Sequence, residues 1–335
     1  MSTQCNSCGF PVSSRETIGE CEVCHKPTHS FCLIKEDDKA YCDHCYVAKT
    51  EEKYVPELPS TIRRTYIELY RSCPRKFRLE VLEGHASPPT KYTQVGIDLH
   101  DLFEKAVNDR TYTKAQMWQD YHPMFKKCID DELFDDELDI KKFQDRAEQS
   151  INTFYEVLPS IPQPFVTEQT ISYSVGEDIP DVEFTMDLIT EAPNGELDLH
   201  DWKTGKVMVG QKIATDMQAP LYIYGVEQHY GRKVRSFTFY YLNEKKTRTF
   251  TRVSEGVYEC VVGKRSYYIK LRETMTEIAQ IFSKMKQGHF SIPQDTKKMF
   301  FTCKMCHLQE QGLCFGADQQ SWVDLRGAQY GGIEE

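Results

Sequence analysis

The stretch from Gly195 to Lys206 constrains the fold of this chain more than any other segment. Its alternate residues from Leu197 to Lys203 are two leucines, an aspartate and a lysine. Alternate side chains of a strand point to the same face of a sheet. The two leucines anchor that face in a core, so Asp201 and Lys203 are presented together at the far end of the strand.

A second strand is predicted just before this one. Residues 181–189 have strand character, and residues 192–195 (Ala-Pro-Asn-Gly) form a turn sequence. Asp187 and Asp201 are equidistant from Asn194, so a hairpin symmetric about that residue makes them direct cross-strand neighbours, with Cβ atoms about 5 Å apart. Like charges that face each other destabilise a sheet unless a cation lies between them. Carboxylate oxygens suit Mg²⁺; the alternative is an exposed hairpin tip with solvated charges.

Three motifs in sequence order carry a resemblance to a known family. Gly96-Ile-Asp-Leu-His100 comes first, Asp201-Trp-Lys-Thr-Gly205 belongs to the hairpin, and Gln218-Ala-Pro-Leu-Tyr222 follows it. Together with Asp187, this set resembles the core of the PD-(D/E)XK nuclease superfamily, in its RecB-like branch. The resemblance extends over about residues 60 to 316, and it is specific as a set although each motif is weak alone.

The resemblance implies an α/β fold with a mixed central sheet flanked by helices, of the restriction-endonuclease-like type. It implies a Mg²⁺ or Mn²⁺ site formed by His100, Asp187, Asp201 and the carbonyl of Trp202. Lys203 would orient the attacking water and stabilise developing charge, with Gln218 and Tyr222 beside the metal. The family often has glycine three residues before the first aspartate, where this chain has Phe184. A bulky residue there could tighten the cleft without removing a ligand.

Residues 1–49 are predicted to be a separate module with eight metal-ligand candidates in four pairs. The pairs are Cys5 and Cys8, Cys21 and Cys24, His29 and Cys32, and Cys42 and Cys45. Such pairs are typical of tetrahedral zinc sites, and a segment this short needs metal to fold. The ligand order resembles PHD and RING-like cross-brace fingers, which implies two Zn²⁺ ions, one on pairs one and three and one on pairs two and four. His25 or His44 could replace a neighbour, but neither keeps the pair spacing.

A further set of cysteines lies at both ends of the remaining chain. Cys73 sits in Tyr70-Arg-Ser-Cys-Pro-Arg-Lys-Phe77, and Cys303, Cys306 and Cys314 come late. One early cysteine followed by Pro, with three late cysteines, resembles the iron–sulfur nucleases of the AddAB and CRISPR-adaptation types, which implies a [4Fe–4S] cluster. Four thiolates suit structural zinc equally, and spacing does not distinguish the two. Cys128 and Cys260 are expected to be inert core thiols.

Composition restricts the cellular setting. The sequence has no apolar run that approaches a membrane span and no signal-peptide character at its start, so we expect a protein without membrane partners in the cytoplasm or, alternatively, the nucleus. In such a reducing compartment, thirteen cysteines, many in pairs, indicate metal ligation rather than disulfides. The net charge of −10 argues against polyanion binding by the whole surface, but local basic clusters occur, for example from Arg63 to Arg78.

The predicted organisation is a finger at 1–49, a linker at 50–59 with two prolines, a nuclease domain at 60–316 and a tail at 317–335. A helix is expected from residue 60 or 61 to about 83, interrupted at Pro74. Another is expected from Lys264 to Gln287, before the late cysteines.

The family resemblance implies exonuclease action on linear or single-stranded DNA ends in recombination or repair, with a helicase as a candidate partner. The finger has more acidic than basic residues, which favours protein docking or structural support over DNA clamping. Two alternatives are a zinc-finger adaptor of the ubiquitin-ligase or chromatin-reader class, and a noncatalytic DNA-end-binding subunit.

Overall fold

The computed structural model describes residues 18–29, 33–36, 38–42, 45, 57–177, 179–290, 303, 306–311 and 313–314. These residues divide into two compact units. One consists of Pro59–Arg64 with Pro88–Gln280, and the other contains Thr65–Ser87 with the described residues up to Leu58 and from Ile281 onward. Among the helices described, none combines the length and the apolar character that crossing a membrane requires.

Strands and helices alternate irregularly along the chain. The strands are β1 (Ile18–Glu20), β2 (Pro27–His29), β3 (Ile34–Glu36), β4 (Lys39–Tyr41), β5 (Thr61–Arg63), β6 (Pro164–Tyr173), β7 (Asp181–Glu191), β8 (Leu197–Lys203), β9 (Val234–Tyr241), β10 (Lys246–Ser254), β11 (Val257–Val262) and β12 (Arg265–Lys270). The α-helices are α1 (Arg64–Ser72), α2 (Pro74–Phe77), α3 (Lys91–Asn108), α4 (Lys114–Asp130), α5 (Glu137–Val157), α6 (Gln218–Tyr230), α7 (Leu271–Lys286) and α8 (His307–Glu310). A π-helix, Arg78–Leu82, follows α2.

Eight strands form one mixed sheet, which confirms the predicted α/β fold class. The strand order is β12-β11-β10-β9-β8-β7-β5, and β6 also pairs with β7. β5 is parallel to β7 and β8 is parallel to β9, whereas the other pairs are antiparallel. Buried side chains of α3, α4 and α5 form one apolar cluster with Leu188 and Trp202 of the sheet. This cluster fixes α3 against the strands that carry the aspartates.

One edge of β7 pairs with a single strand, and the other edge pairs with two. β6 pairs with β7 from residue 182 to residue 190, so β5 and β8 share the other edge. Along that edge β5 pairs with residues 181–183 of β7 and β8 with residues 188–191. Residues 184–187 of β7 therefore face a fork between the end of β5 and the end of β8. We call this gap the fork.

The β7–β8 hairpin has the symmetric register that the sequence predicts. Leu188 pairs with His200, and continuing that register by one step places Asp187 opposite Asp201. The backbone pairing of the two strands ends at Leu188 and His200, one pair before the aspartates. Beyond that point the backbone N–H of Trp202 donates to the side chain of Asp187, at 2.7 Å from Oδ2. The two strands therefore begin to separate where the carboxylates lie.

Two predicted helices begin later than the sequence indicates. Residues 61–63, predicted as helix, form β5 because they add a parallel strand to β7, and α1 begins at Arg64. The predicted interruption is present, since Pro74 is the first residue of α2. Residues 265–270, also predicted as helix, pair with β11 as the outermost strand β12, and α7 begins at Leu271.

Gly225 allows α6 to pack closely on β6 and β7. A Cβ atom at Gly225 would lie 2.5 Å from Phe184 Cε1 and 2.6 Å from Tyr173 Cε1. Phe184 also stacks on Tyr222 of the same helix, with ring centroids 4.0 Å apart. The bulky residue at position 184 is therefore accommodated by a glycine on the helix that faces it.

Gly225→Ala is expected to lower the free energy of unfolding by about 1–3 kcal/mol, because the added methyl group forces buried rings to move. Gly96→Ala is the matched control, since Gly96 also lies inside a helix and its Cβ would have no neighbour closer than 3.7 Å. The control should be neutral or more stable by about 0.5–1 kcal/mol. Chemical denaturation of both variants measures the difference, and equal midpoints would contradict this packing.

Candidate active site

Four structural elements carry the predicted catalytic side chains, and a fifth adds one more. His100 lies on α3, Asp187 on β7, Asp201 and Lys203 on β8, Gln218 and Tyr222 on α6, and the additional Glu168 on β6. All belong to the same compact unit, and both aspartates are buried. The side chains fall into two connected groups, one around Asp187 and one around Asp201.

His100 and Asp187 form an ion pair. His100 Nδ1 lies 3.4 Å from Asp187 Oδ2. Burial alone would lower the pKa of His100, but the charge of Asp187, the hydrogen bond to it and the charge of Asp201 raise that pKa to about 9. Burial would likewise raise the pKa of Asp187, but His100, Lys203 and the Trp202 amide hold it below its ordinary value. Asp187 is therefore kept as a carboxylate in a buried position.

Asp201, Lys203 and Gln218 form a closed ring of polar contacts. Lys203 Nζ lies 2.6 Å from Asp201 Oδ2 and donates to Gln218 Oε1 at 2.9 Å, while Gln218 Nε2 donates to Asp201 Oδ1. Burial raises the pKa of Asp201 to about 6, and the charge of Asp187 adds to this effect against the opposing charge of Lys203. The amine of Lys203 is thus held in a fixed position beside the carboxylate.

Glu168 is a candidate site residue that the sequence did not reveal. His100, Glu168 and Asp187 each offer a ligand atom, and these atoms lie within 4.8 Å of one another. The β6–β7 register places Glu168 opposite Asp187, since Thr167 is opposite Leu188 and Gln169 is opposite Met186.

The backbone of Glu168 has φ +43°, in the left-handed region that residues with a side chain rarely adopt. Burial raises the pKa of Glu168 to about 8, and the charge of Asp187 adds to the shift. A strained residue among like charges indicates a functional constraint rather than a structural one. The pairing of β6 with β7 is what brings Glu168 to the site. The sequence has no short turn between these two strands that would predict this pairing.

The donor set fits a divalent cation. Glu168 and Asp187 offer hard oxygen ligands and His100 an imidazole nitrogen within 4.8 Å of one another, a combination that suits Mg²⁺ or Mn²⁺. The carboxylate of Asp201 lies outside this group and contacts Lys203 and Gln218 instead. Burial is the main cause of the raised pKa of Glu168 and of Asp201, and the charge of Asp187 adds to both shifts. Trp202, whose carbonyl the resemblance adds to the set, has a buried side chain within the helix cluster.

Four finger cysteines come together in the structure. The sulfur atoms of Cys21, Cys24, Cys42 and Cys45 lie within 4.8 Å of one another, and Cys24 and Cys42 are 3.8 Å apart. A tetrahedron with Zn–S bonds of about 2.3 Å has edges of about 3.8 Å. Burial alone would raise the pKa of Cys21, but backbone hydrogen bonds from Cys24, Cys42 and Val23 lower it to about 6. This environment favours the thiolate at Cys21, whereas burial and the neighbouring cysteines raise the pKa of Cys45.

The other predicted zinc site cannot be placed in the same way. Cys5, Cys8 and Cys32 lie outside the described residues, and for His29 only the backbone, in β2, is described. That site stays a prediction.

The cysteines at 73, 303, 306 and 314 also interact with one another. Cys73 caps α2 by accepting a hydrogen bond from the Lys76 backbone at 3.4 Å. Burial, together with the charges of Cys73, Cys303 and Cys306, raises the pKa of Cys314 to about 12. The structure thus brings the early cysteine close to the late ones, as a shared metal site requires.

The match to a protein family agrees with this architecture. The family model of the PD-(D/E)XK nuclease superfamily matches residues 64–311, which is well over half of the chain. No curated protein matches the sequence. One similar solved structure is described as "Crystal structure of SSO0001"; it is 15% identical, with 71% of this chain and 92% of that chain covered. Its TM-score of 0.28 is too low to support an argument. On the family match, the chain belongs to the PD-(D/E)XK nuclease superfamily.

Proposed function

We propose that this protein is a Mg²⁺- or Mn²⁺-dependent deoxyribonuclease that acts as an exonuclease on linear or single-stranded DNA ends in recombination or repair, with a helicase as a candidate partner. The observation that carries the proposal is the meeting of Asp187, Asp201 and Lys203 with His100 at the fork. Nothing in the packing of the sheet requires this charged set. Exonuclease action and the repair setting rest on the resemblance to the RecB-like branch.

The residues of the candidate site have two different roles in this proposal. Glu168, Asp187, Asp201, His100 and the Trp202 carbonyl would hold the cation. A divalent cation in such a site polarises the phosphodiester and lowers the pKa of coordinated water. Lys203, whose ammonium is held by Asp201 and Gln218, would orient the attacking water and stabilise the negative charge that develops on the phosphate.

Cleavage and binding of labelled linear DNA with Mn²⁺ separate this proposal from the two alternatives. A nuclease binds and cleaves the DNA. A noncatalytic end-binding subunit binds without cleavage, and a zinc-finger adaptor does neither. The same substrates labelled at either end reveal whether nucleotides leave one at a time from an end.

Asp187→Asn, Asp201→Asn and Lys203→Ala should each reduce cleavage by about 10²–10³-fold or more, because the aspartate variants weaken the proposed cation site and the lysine variant removes the charge proposed to act on the phosphate. Affinity for DNA should change little, because contacts to phosphates elsewhere supply most of it. Glu191→Gln, an exposed carboxylate at the end of β7, is the control. Full cleavage by the lysine variant would refute the assignment.

Glu168→Gln should raise the Mn²⁺ concentration needed for half-maximal cleavage by about 10–100-fold, since the variant keeps the shape of the side chain but loses a charged ligand. The measurement is the cleavage rate as a function of Mn²⁺ concentration. Glu191→Gln should leave this curve unchanged. A curve for Glu168→Gln that overlays the wild-type curve would mean that Glu168 does not face the cation.

We further propose that the two cysteine groups hold different metals. Cys21, Cys24, Cys42 and Cys45 would bind Zn²⁺, and the group containing Cys73 would bind a [4Fe–4S] cluster. Support for zinc comes from the sulfur spacing of 3.8 Å and the backbone donors around Cys21. Support for the cluster comes from the resemblance to iron–sulfur nucleases. The finger, with its second predicted Zn²⁺, would dock a partner protein.

Anaerobically purified protein should be brown and contain about four iron atoms per chain. Cys73→Ala should lose the iron and keep the zinc, whereas Cys24→Ala should lose about one zinc and keep the iron. Cys260→Ala, a buried thiol outside both groups, is the control and should keep both metals. Elemental analysis with visible absorption measures these contents, and zinc in every thiolate site without iron would refute the cluster.

A further inference from the structure

Arg64 lies at the edge of the fork, opposite the catalytic lysine. It directly follows β5, whose last residue Arg63 pairs with Glu183 of β7. β5 and β7 run in parallel, and continuing their register by one residue places Arg64 level with Phe184, which pairs with neither β5 nor β8. By the same reasoning Lys203, at the end of β8, approaches the fork from the other side.

The side chain of Arg64 is tied to the active site through Tyr222. Arg64 and Tyr222 are joined by a side-chain hydrogen bond, and Tyr222 lies within electrostatic range of both Asp187 and Asp201. Tyr222 is buried and stacked on Phe184, so its hydroxyl has a fixed position. It follows Gln218 by four residues on α6, which places its side chain about 6 Å further along the same helix face.

We propose that Arg64 binds the DNA phosphate next to the scissile phosphate, and that Tyr222 is the positioning residue that aims its guanidinium. The inference rests on the proposed nuclease function and assigns a substrate contact within it. Gln218 contacts Asp201 and Lys203. Tyr222, the hydrogen-bond partner of Arg64, lies one helical turn beyond Gln218. A strand whose scissile phosphate lies at Lys203 therefore meets Arg64 at its neighbouring phosphate.

The chemistry of the two side chains supports this assignment. A guanidinium always carries its charge and presents a planar set of donors that matches phosphate oxygens, which an ammonium does not. A tyrosine hydroxyl can accept a hydrogen bond from one of those donors and so fix the direction of the guanidinium. The adjacent Arg63 differs, because its exposed side chain lies 3.9 Å from Glu183.

The experiment uses the full-length protein and oligonucleotides with one uncharged methylphosphonate, placed in turn at each linkage around the cleaved bond. Arg64→Ala should reduce kcat/KM by about 10–100-fold, the loss expected for one charge-assisted hydrogen bond. The slope of log affinity against log salt should fall by about 0.7, as for one lost phosphate contact on a single strand. Arg63→Ala is the matched control and should change neither value.

The decisive readout is the combination of variant and substrate. In the wild type, a methylphosphonate next to the scissile linkage should cost about as much as Arg64→Ala. In Arg64→Ala the same substitution should add little, because the contact is already gone. Tyr222→Phe should show part of the loss, and Arg64→Lys should recover part of it. Independent, additive losses at every linkage, or an unchanged salt slope, would overturn the proposal.

The two proposals fail separately. Cleavage by the wild type with no effect of Arg64→Ala removes only the phosphate contact. If the wild type does not cleave DNA, the equilibrium affinities of the same variants for the same oligonucleotides decide whether Arg64 binds phosphate. Thermal unfolding identifies any variant that fails to fold, and Arg64→Lys with Tyr222→Phe then carries the comparison.

Discussion

Two buried carboxylates opposite each other on one hairpin form the constraint on which this active site depends. In water, like charges about 5 Å apart repel weakly, but burial strengthens the repulsion because the surroundings screen it less. In the structure the two carboxylates have different partners. Asp187 receives His100 and the Trp202 amide, whereas Asp201 receives Lys203 and Gln218. The division keeps Asp187 ionised, whereas burial and the charge of Asp187 raise the pKa of Asp201 to about 6 against the opposing charge of Lys203.

The fork follows from how β7 is shared. Since β6 occupies one edge of β7, β5 and β8 must use the other, and neither covers residues 184–187. Close packing of α6 then brings Gln218 and Tyr222 over the opening, which requires Gly225 where the rings of Phe184 and Tyr173 approach. The geometry of the candidate site is thus set by strand ends and by one glycine, while the apolar cluster of α3, α4 and α5 holds these helices against the sheet.

Local patterns in the sequence predicted the parts of this site that local rules determine. The hairpin register followed from the turn, because cross-strand pairing within a tight hairpin depends only on its centre. The missed features depend on partners far away in sequence. Three residues at 61–63 become a strand only because β7 is available, and residues 265–270 become β12 only by pairing with β11. Glu168 reaches the site through the pairing of β6 with β7 and through an unusual backbone angle, neither of which residue types reveal.

The two cysteine groups illustrate how metal binding and folding are linked in different ways. The finger group draws its ligands from 25 consecutive positions, 21 to 45, so its metal would mainly replace an apolar core that so short a segment cannot build. The other group brings Cys73 near cysteines beyond residue 300. A permanent link across a loop of that length would lower the conformational entropy of the unfolded chain by an amount worth about 5–6 kcal/mol. Metal at the second group would therefore act on the unfolded ensemble of nearly the whole chain. Loss of this metal would destabilise the segment that carries α1 and α2, although none of the metal's ligands is a proposed catalytic residue.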